Sequence, residues 1–166
     1  MRGESVTELV ERLKSGEVRA LARAITWIEN EDARGLELLD AVYPDVGRAY
    51  RVGISGPPGA GKSTLVDALT EHLLDNGKTV GIIAVDPTSP FTGGAVLGDR
   101  VRMAAHAGDG GVFIRSMASR GSLGGLARAV SAAVGVLDAQ VDWITRLDLV
   151  GGTALGDTQI GLFLFG

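Results

Sequence analysis

The sequence predicts an α/β fold, a three-layer sandwich around a mainly parallel sheet, incomplete toward its C-terminus and preceded by an N-terminal helical extension. Three observations predict it. Residues 56–63, Gly-Pro-Pro-Gly-Ala-Gly-Lys-Ser, join the β-branched run Arg51-Val52-Gly53-Ile54-Ser55 to a segment whose apolar residues recur at helical spacing. Thr79-Val80-Gly81-Ile82-Ile83-Ala84-Val85 is a near-continuous apolar run, the pattern of a strand covered on both faces. The resulting strand–loop–helix–strand order is that of a crossover unit, which joins parallel neighbours.

The elements follow in chain order. Ser5-Val6-Thr7-Glu8 has the form of a capping box, and Val6, Leu9, Val10 and Leu13 continue at helical spacing until Gly16. Residues 17–29 read as a second helix through Val18, Leu21, Ala22, Ile25 and Ile28. Residues 32–42 read as a third through Leu36, Leu39 and Val42, weakened by Gly35 and stopped before Pro44. These form an extension over residues 1–48, either plain packing helices or an interaction surface. The sheet-bearing core is expected over 49–166. After the Arg51–Ser55 strand, a helix is predicted over 62–76, with Leu65, Ala68, Leu69, His72 and Leu73 recurring at helical spacing and Asn76-Gly77 ending it. Beyond the second strand come a Gly-rich loop over 87–98, a helix over 99–105, a strand over 111–115, an Ala-rich helix over 123–139 and a strand over 141–145.

Composition narrows the function classes. A formal charge of −4 argues against nucleic-acid and anionic-membrane partners. The chain has no cysteine, so disulfides, thiolate metal sites and Cys nucleophiles are excluded. Two histidines, His72 and His106, are too few for a zinc site without carboxylates. The N-terminus opens a polar amphipathic segment rather than a signal peptide, and no apolar run approaches spanning length. A cytoplasmic protein is the expectation.

Residues 56–63 fit G-x-x-x-x-G-K-[ST], the phosphate-binding P-loop, and each fixed residue has a mechanical reason. Gly56, Gly59 and Gly61 let backbone N–H groups curl around an anion with no Cβ in the way. Lys62 supplies an ammonium for β- and γ-phosphate oxygens, and the Ser63 hydroxyl is placed to ligate Mg²⁺. The helix that starts there aims its positive dipole end at the phosphates. The predicted cradle is thus Gly56, Pro57, Pro58, Gly59, Ala60, Gly61, Lys62, Ser63 and Thr64. The fold class becomes that of P-loop NTPases. Asp86 closes the second strand at the carboxyl edge of the sheet, where open α/β sheets bind ligands. It reads equally as a metal carboxylate or as an Asx-turn into Pro87. Asp99, at an expected helix start, reads alone as an N-cap.

Taken with the P-loop and Thr64, Val85-Asp86-Pro87-Thr88-Ser89 and Thr92-Gly93-Gly94-Ala95-Val96-Leu97-Gly98-Asp99-Arg100-Val101-Arg102-Met103 resemble the MeaB/ArgK/MMAA family. These are P-loop GTPases that act as chaperones for adenosylcobalamin-dependent methylmalonyl-CoA mutase and related acyl-CoA mutases. Arg23-Ala24-Ile25-Thr26 with Ile28-Glu29, and residues 119–127, Ser-Arg-Gly-Ser-Leu-Gly-Gly-Leu-Ala, match as well. The resemblance covers about residues 5–145. It implies GTP and GDP as ligands, Lys62 and Asp99 as catalytic groups, and Ser63, Asp86 and Asp99 around Mg²⁺. It also implies a switch over 87–98, water as the attacking group and a mutase as partner, and it leaves a homodimer open. Arg115 and residues 119–125 read either as γ-phosphate or switch elements or as packing.

The sequence departs from that pattern near its end. After the 141–145 strand the family has an acidic residue followed by Thr-Val-Gly-Val-Gly-Gln. Direct alignment from Asp142 puts Leu147 at the acid, whereas Asp148-Leu149-Val150-Gly151 fits Asp-x-x-Gly and offers Asp148 as a water-mediated Mg²⁺ ligand. No Asn-Lys-x-Asp motif, the reader of guanine, occurs. The chain ends on an apolar run, residues 160–166, expected either to lack a packing site in a truncated product or to form a buried strand. Alternatives to the mutase-chaperone GTPase are a nucleotide- or mutase-binding fragment with little turnover and another P-loop enzyme, a small-molecule kinase or ATPase.

Overall fold

The computed structural model describes residues 4–57, 59–86, 111–118, 123–148 and 161–164. Helix α1 (Val6–Lys14) starts at the expected capping box: Glu8 N–H donates to Ser5 Oγ at 3.2 Å and Ser5 N–H donates to Glu8 Oε2 at 2.9 Å. Helix α2 (Val18–Glu29) buries Ala20, Leu21, Ala24, Ile25, Trp27 and Ile28. Helix α3 (Ala33–Val42) is capped by Asp32, whose carboxylate accepts from Arg34 N–H. Gly35, which weakened the prediction of this helix, has a packing reason. A Cβ there would lie 3.4 Å from the Trp27 carbonyl carbon and oxygen, in ordinary contact, so α3 crosses α2 with room for little more than a methyl group.

The core elements are β1 (Tyr50–Ser55), α4 (Lys62–Asp75), β2 (Val80–Asp86), β3 (Val112–Ala118), α5 (Leu123–Asp138), β4 (Trp143–Asp148) and β5 (Gly161–Leu164). The sheet order is β3-β2-β4-β1-β5. The β1–β4, β4–β2 and β2–β3 pairs are parallel, while β5 runs antiparallel to β1, with Val52 opposite Leu164 and Ser55 opposite Gly161. The terminal apolar run therefore contributes a paired edge strand.

Alternation along the strands sorts side chains into two apolar layers. On one face Ile83, Val85, Phe113, Met117 and Ile144 join α1, α2, α3 and α5 in one continuous cluster. On the other, Val52, Ile54, Val80, Ile82 and Leu147 meet Val66 and Leu73 of α4. Helices thus cover both sides of the parallel sheet, which explains the unbroken apolar run of β2. Close contact is helped by Gly81 on β2, where a Cβ would come 3.0 Å from Leu137 of α5.

Two expectations shift. On α4 the buried positions are Lys62, Val66, Thr70 and Leu73, whereas His72 and Ala68 are exposed and Leu65 and Leu69 half-buried. Helix rotation is set by Lys62, which must turn inward to the loop and carries positions 66, 70 and 73 with it. The 141–145 strand begins two residues later and runs to Asp148. Asp142 is used at the turn before it, where its Oδ2 accepts from Thr79 N–H at 2.9 Å and Thr79 Oγ1 at 2.8 Å. The strand continues through polar Arg146 because β1 and β2 supply ladder partners on both sides. The helix expected over 99–105 lies outside the described residues.

The junction between the N-terminal helices and β1 is fastened by Asp138, the last residue of α5 and almost fully buried. Its Oδ1 accepts from the backbone N–H groups of Gly47, Arg48 and Ala49 at 2.6, 2.8 and 3.3 Å, and its Oδ2 from Arg51 Nε at 2.7 Å. Burial alone would raise the pKa of this carboxyl. The N–H of Arg48, the Arg51 guanidinium and the N–H groups of Gly47 and Ala49 together outweigh it and hold the group below the usual carboxylate range.

Candidate functional site

The site is built where β1 ends and α4 begins. Strand β1 lies inside the sheet between β4 and β5, so its carboxyl end is fixed by ladders on both sides. The chain then turns through Gly56, Pro57, Gly59, Ala60 and Gly61 into α4. Gly59 has φ +78° and Gly61 φ +88°, the left-handed region that β-carbon sterics close to most residues, and open space lies where either Cβ would be. Gly61 occupies the N-cap position, so the first turn of α4, with Lys62, Ser63 and Thr64, begins without a side-chain capping oxygen.

Lys62 carries the arrangement. It is only 6% exposed, and its Nζ donates to the carbonyls of Gly56 at 2.6 Å and Pro57 at 2.9 Å. The ammonium therefore lies inside the loop, holding the two ends of the turn together. A buried cation over a glycine-rich turn, at the positive end of a 14-residue helix, is an arrangement suited to a polyphosphate. Pro58 lies outside the described residues.

The candidate carboxylates come from neighbouring strand ends. Asp86 ends β2 and Asp148 ends β4; Val85 is opposite Asp148, and Leu147 is opposite Ile54 of the loop-bearing strand. Three adjacent parallel strands, β2, β4 and β1, thus bring Asp86, Asp148 and the phosphate loop to one edge. With strands ~4.8 Å apart, Asp148 is one strand from the loop and Asp86 two. Asp99 lies outside the described residues, as does the loop over 87–98. Among the described residues no group of three or more His, Asp or Glu is placed to hold a metal ion, and no helix is long and apolar enough to cross a membrane.

Two positions are clarified. Leu147, where direct alignment placed the family acid, is fully buried in the α4-side core. Arg115, read either as a phosphate-side group or as packing, is used in packing. It is ion-paired with Glu29, and its NH2 donates to Thr26 Oγ1 at 3.3 Å, both on α2. It stands three residues before the end of β3, ~10 Å short of the carboxyl edge. Residues 119–122 lie outside the described residues. Asp138, among the described residues the carboxylate with the most hydrogen-bond donors, escaped sequence reading. Its only trace was an acid placed at the end of an apolar helix.

Comparison with known proteins bears on the same site. A relative from Pyrococcus abyssi is 60% identical over 146 residues, 88% of this chain and 45% of the relative. GTPase ArgK of Escherichia coli is 44% identical over 125 residues, 73% of this chain and 38% of its own length. The solved structure of an LAO/AO transport system kinase superposes with a TM-score of 0.69 at 29% identity, covering 92% of this chain and 45% of that one. The chain spans less than half the length of these relatives. The family model of the methylmalonyl Co-A mutase-associated GTPase MeaB matches residues 21–157, taking in the phosphate loop, the ends of β2 and β4 and the α2–β3 contact. Fold, loop geometry and sequence agree, and the chain belongs to the MeaB family of GTPases.

Proposed function

We propose that this chain binds GTP with Mg²⁺ at the carboxyl edge of β1, β4 and β2, hydrolyses it with water, and serves an adenosylcobalamin-dependent acyl-CoA mutase such as methylmalonyl-CoA mutase as a GTPase chaperone. The observation that carries the reading is the buried Lys62 ammonium inside an uncapped, glycine-rich turn. Triphosphate oxygens would take over Lys62 from the Gly56 and Pro57 carbonyls, and the backbone N–H groups of residues 59–64 would surround the β-phosphate. The open space at Gly59 and Gly61 suits such a guest. Ser63 would hold Mg²⁺, with Asp86, Asp99 and Asp148 as ligands or partners of its waters. When bound, the ion neutralises charge on the transferring phosphoryl group. Phosphoryl transfer needs positioning and charge stabilisation rather than a covalent intermediate, so no side-chain nucleophile is required. Guanine as the base and a mutase as the partner are supported by the family match.

Titration with a fluorescent GTP analogue and phosphate release under Mg²⁺, each against Lys62→Ala, test this. Saturable binding and turnover that the variant loses are expected. Equal behaviour of the two proteins would refute the assignment of the site, and ATP binding as tight as GTP would remove the guanine claim. A second reading, binding with little turnover, is favoured by Leu147. An apolar side chain is buried where direct alignment puts the family's acid. Tight binding without phosphate release, even with mutase added, would select it.

A further inference from the structure

The Asn76-Gly77 pair that stops α4 is exposed, so water reaches it. Asn76 is the C-cap residue, and Gly77 follows with φ +70°, the left-handed conformation that a helix-ending glycine supplies. Gly77 N–H donates to the Leu74 carbonyl at 2.8 Å and Lys78 N–H to the Leu73 carbonyl at 3.0 Å. These two bonds form a Schellman cap. The Asn76 carboxamide completes it: Nδ2 donates at 2.7 Å to the His72 carbonyl, one of the last oxygens of the helix. Leu74 anchors the turn, its Cδ2 lying 3.0 Å from where a Cβ on Gly111 would stand.

The same dipeptide carries a latent reaction. The Gly77 amide nitrogen can attack Asn76 Cγ and lose its proton, closing a five-membered imide while Nδ2 leaves as ammonia. Water then opens the imide at either carbonyl, giving aspartate or isoaspartate at position 76. A side chain on the following residue hinders the attack, and glycine has none. The chain's other asparagine, Asn30, is followed by Glu31. In the folded cap both reacting groups are occupied, the Gly77 N–H on Leu74 and the carboxamide on His72. We propose that Asn76-Gly77 is a guarded deamidation site, closed by the α4 cap and reactive when the last turn of α4 opens. Conversion weakens the cap for good. The product carboxylate has no proton to donate to the His72 carbonyl and sets a negative charge at the negative end of the helix dipole. Isoaspartate also lengthens the backbone through the cap. The inference does not depend on which ligand the phosphate loop takes.

The test follows the full chain at mildly alkaline pH, folded or in guanidinium chloride. Tryptic peptides 63–78 and 24–34, each with one asparagine, are read by mass spectrometry with chromatographic separation of the isoaspartyl form. Peptide 63–78 is expected to deamidate at least tenfold more slowly folded than denatured, with isoaspartate among the products, and in denaturant Asn30 should lag behind Asn76. Leu74→Ala leaves the dipeptide intact and loosens the turn, so it should speed the folded reaction at least threefold, its folding checked by its denaturation midpoint. Asn76→Asp should lower that midpoint. Equal folded and denatured rates in the wild type would overturn the guard, and this comparison decides even if Leu74→Ala does not fold. Amide loss without isoaspartate, or Asn30 reacting as fast as Asn76 in denaturant, would overturn the imide route. A folded Leu74→Ala that reacts at the wild-type rate would show that turn opening is not the gate, and an unchanged midpoint for Asn76→Asp would remove the weakening of the cap.

Discussion

Replacing Asp138 by alanine should be among the most damaging single changes in this chain, although the residue is remote from the phosphate loop. The side chain is 1% exposed and accepts from three successive backbone N–H groups and from Arg51. Removing one partner of a buried ion pair typically costs about 3–5 kcal/mol, because the remaining charge and donors stay desolvated. Here Arg51 is 17% exposed and residues 47–49 lie on a surface junction, so water can reach part of the orphaned set. That places the expected cost near the lower end, about 3 kcal/mol. With a urea dependence of about 2 kcal/mol per molar, the midpoint should fall by about 1.5 M. Asp138→Asn keeps an acceptor for the N–H groups but loses the charge, and should cost about half as much. The pH dependence follows with a definite sign. The folded-state pKa is lowered, so the contribution is complete above the unfolded value, about 3.9, and is lost as pH falls through the folded value. Urea melts at pH 7 and at successively lower pH should therefore show the gap between wild type and Asp138→Asn closing below pH 4. A midpoint for Asp138→Ala within 0.25 M of wild type, roughly half a kcal/mol, would refute the latch.

Other perturbations separate site from scaffold. Lys62→Ala should reduce triphosphate affinity at least tenfold in a fluorescent-analogue titration, because the one buried ammonium facing the loop is gone; unchanged affinity would place the phosphates elsewhere. Arg115→Met, which breaks the Glu29 pair behind β3, should cost about 1–3 kcal/mol in urea and leave analogue affinity within twofold; a tenfold loss of affinity with normal stability would return Arg115 to the phosphate side. Gly35→Ala should be nearly neutral, since a Cβ at 3.4 Å from Trp27 is just tolerated and helix propensity gains up to about 1 kcal/mol. Gly35→Leu should destabilise by about 1–3 kcal/mol by forcing α3 off α2, and equal melting midpoints for the two variants would show the crossing is not tight.

The sequence was most legible where a local pattern and its physical cause coincide. The capping box at Ser5, the glycine-rich turn over residues 56–61 and the apolar run of β2 each depend on residues within one or two turns of chain. Legibility ended where the cause was long-range. Nothing near residue 147 says that β4, rather than β2, is inserted beside β1; the ladders Ile54–Leu147 and Val85–Asp148 set that order across ninety and sixty residues of chain. The insertion has a chemical consequence. It puts the end of β4 one strand from the phosphate loop, so under the proposed function the residue that closes that strand would stand nearest the bound phosphates. In this chain Leu147 turns into the core and Asp148 follows as the last strand residue. A one-residue change of register at that point decides whether a carboxylate or a methyl group is available there, because successive side chains of a strand lie on opposite faces. Substituting Leu147→Glu therefore tests the order directly. It should cost at least about 3 kcal/mol in urea, since the position is fully buried among Val52, Ile54 and Val66, and it should not raise GTP turnover. A stable, faster variant would mean that position 147 faces the nucleotide and that the register of β4 is shifted by one.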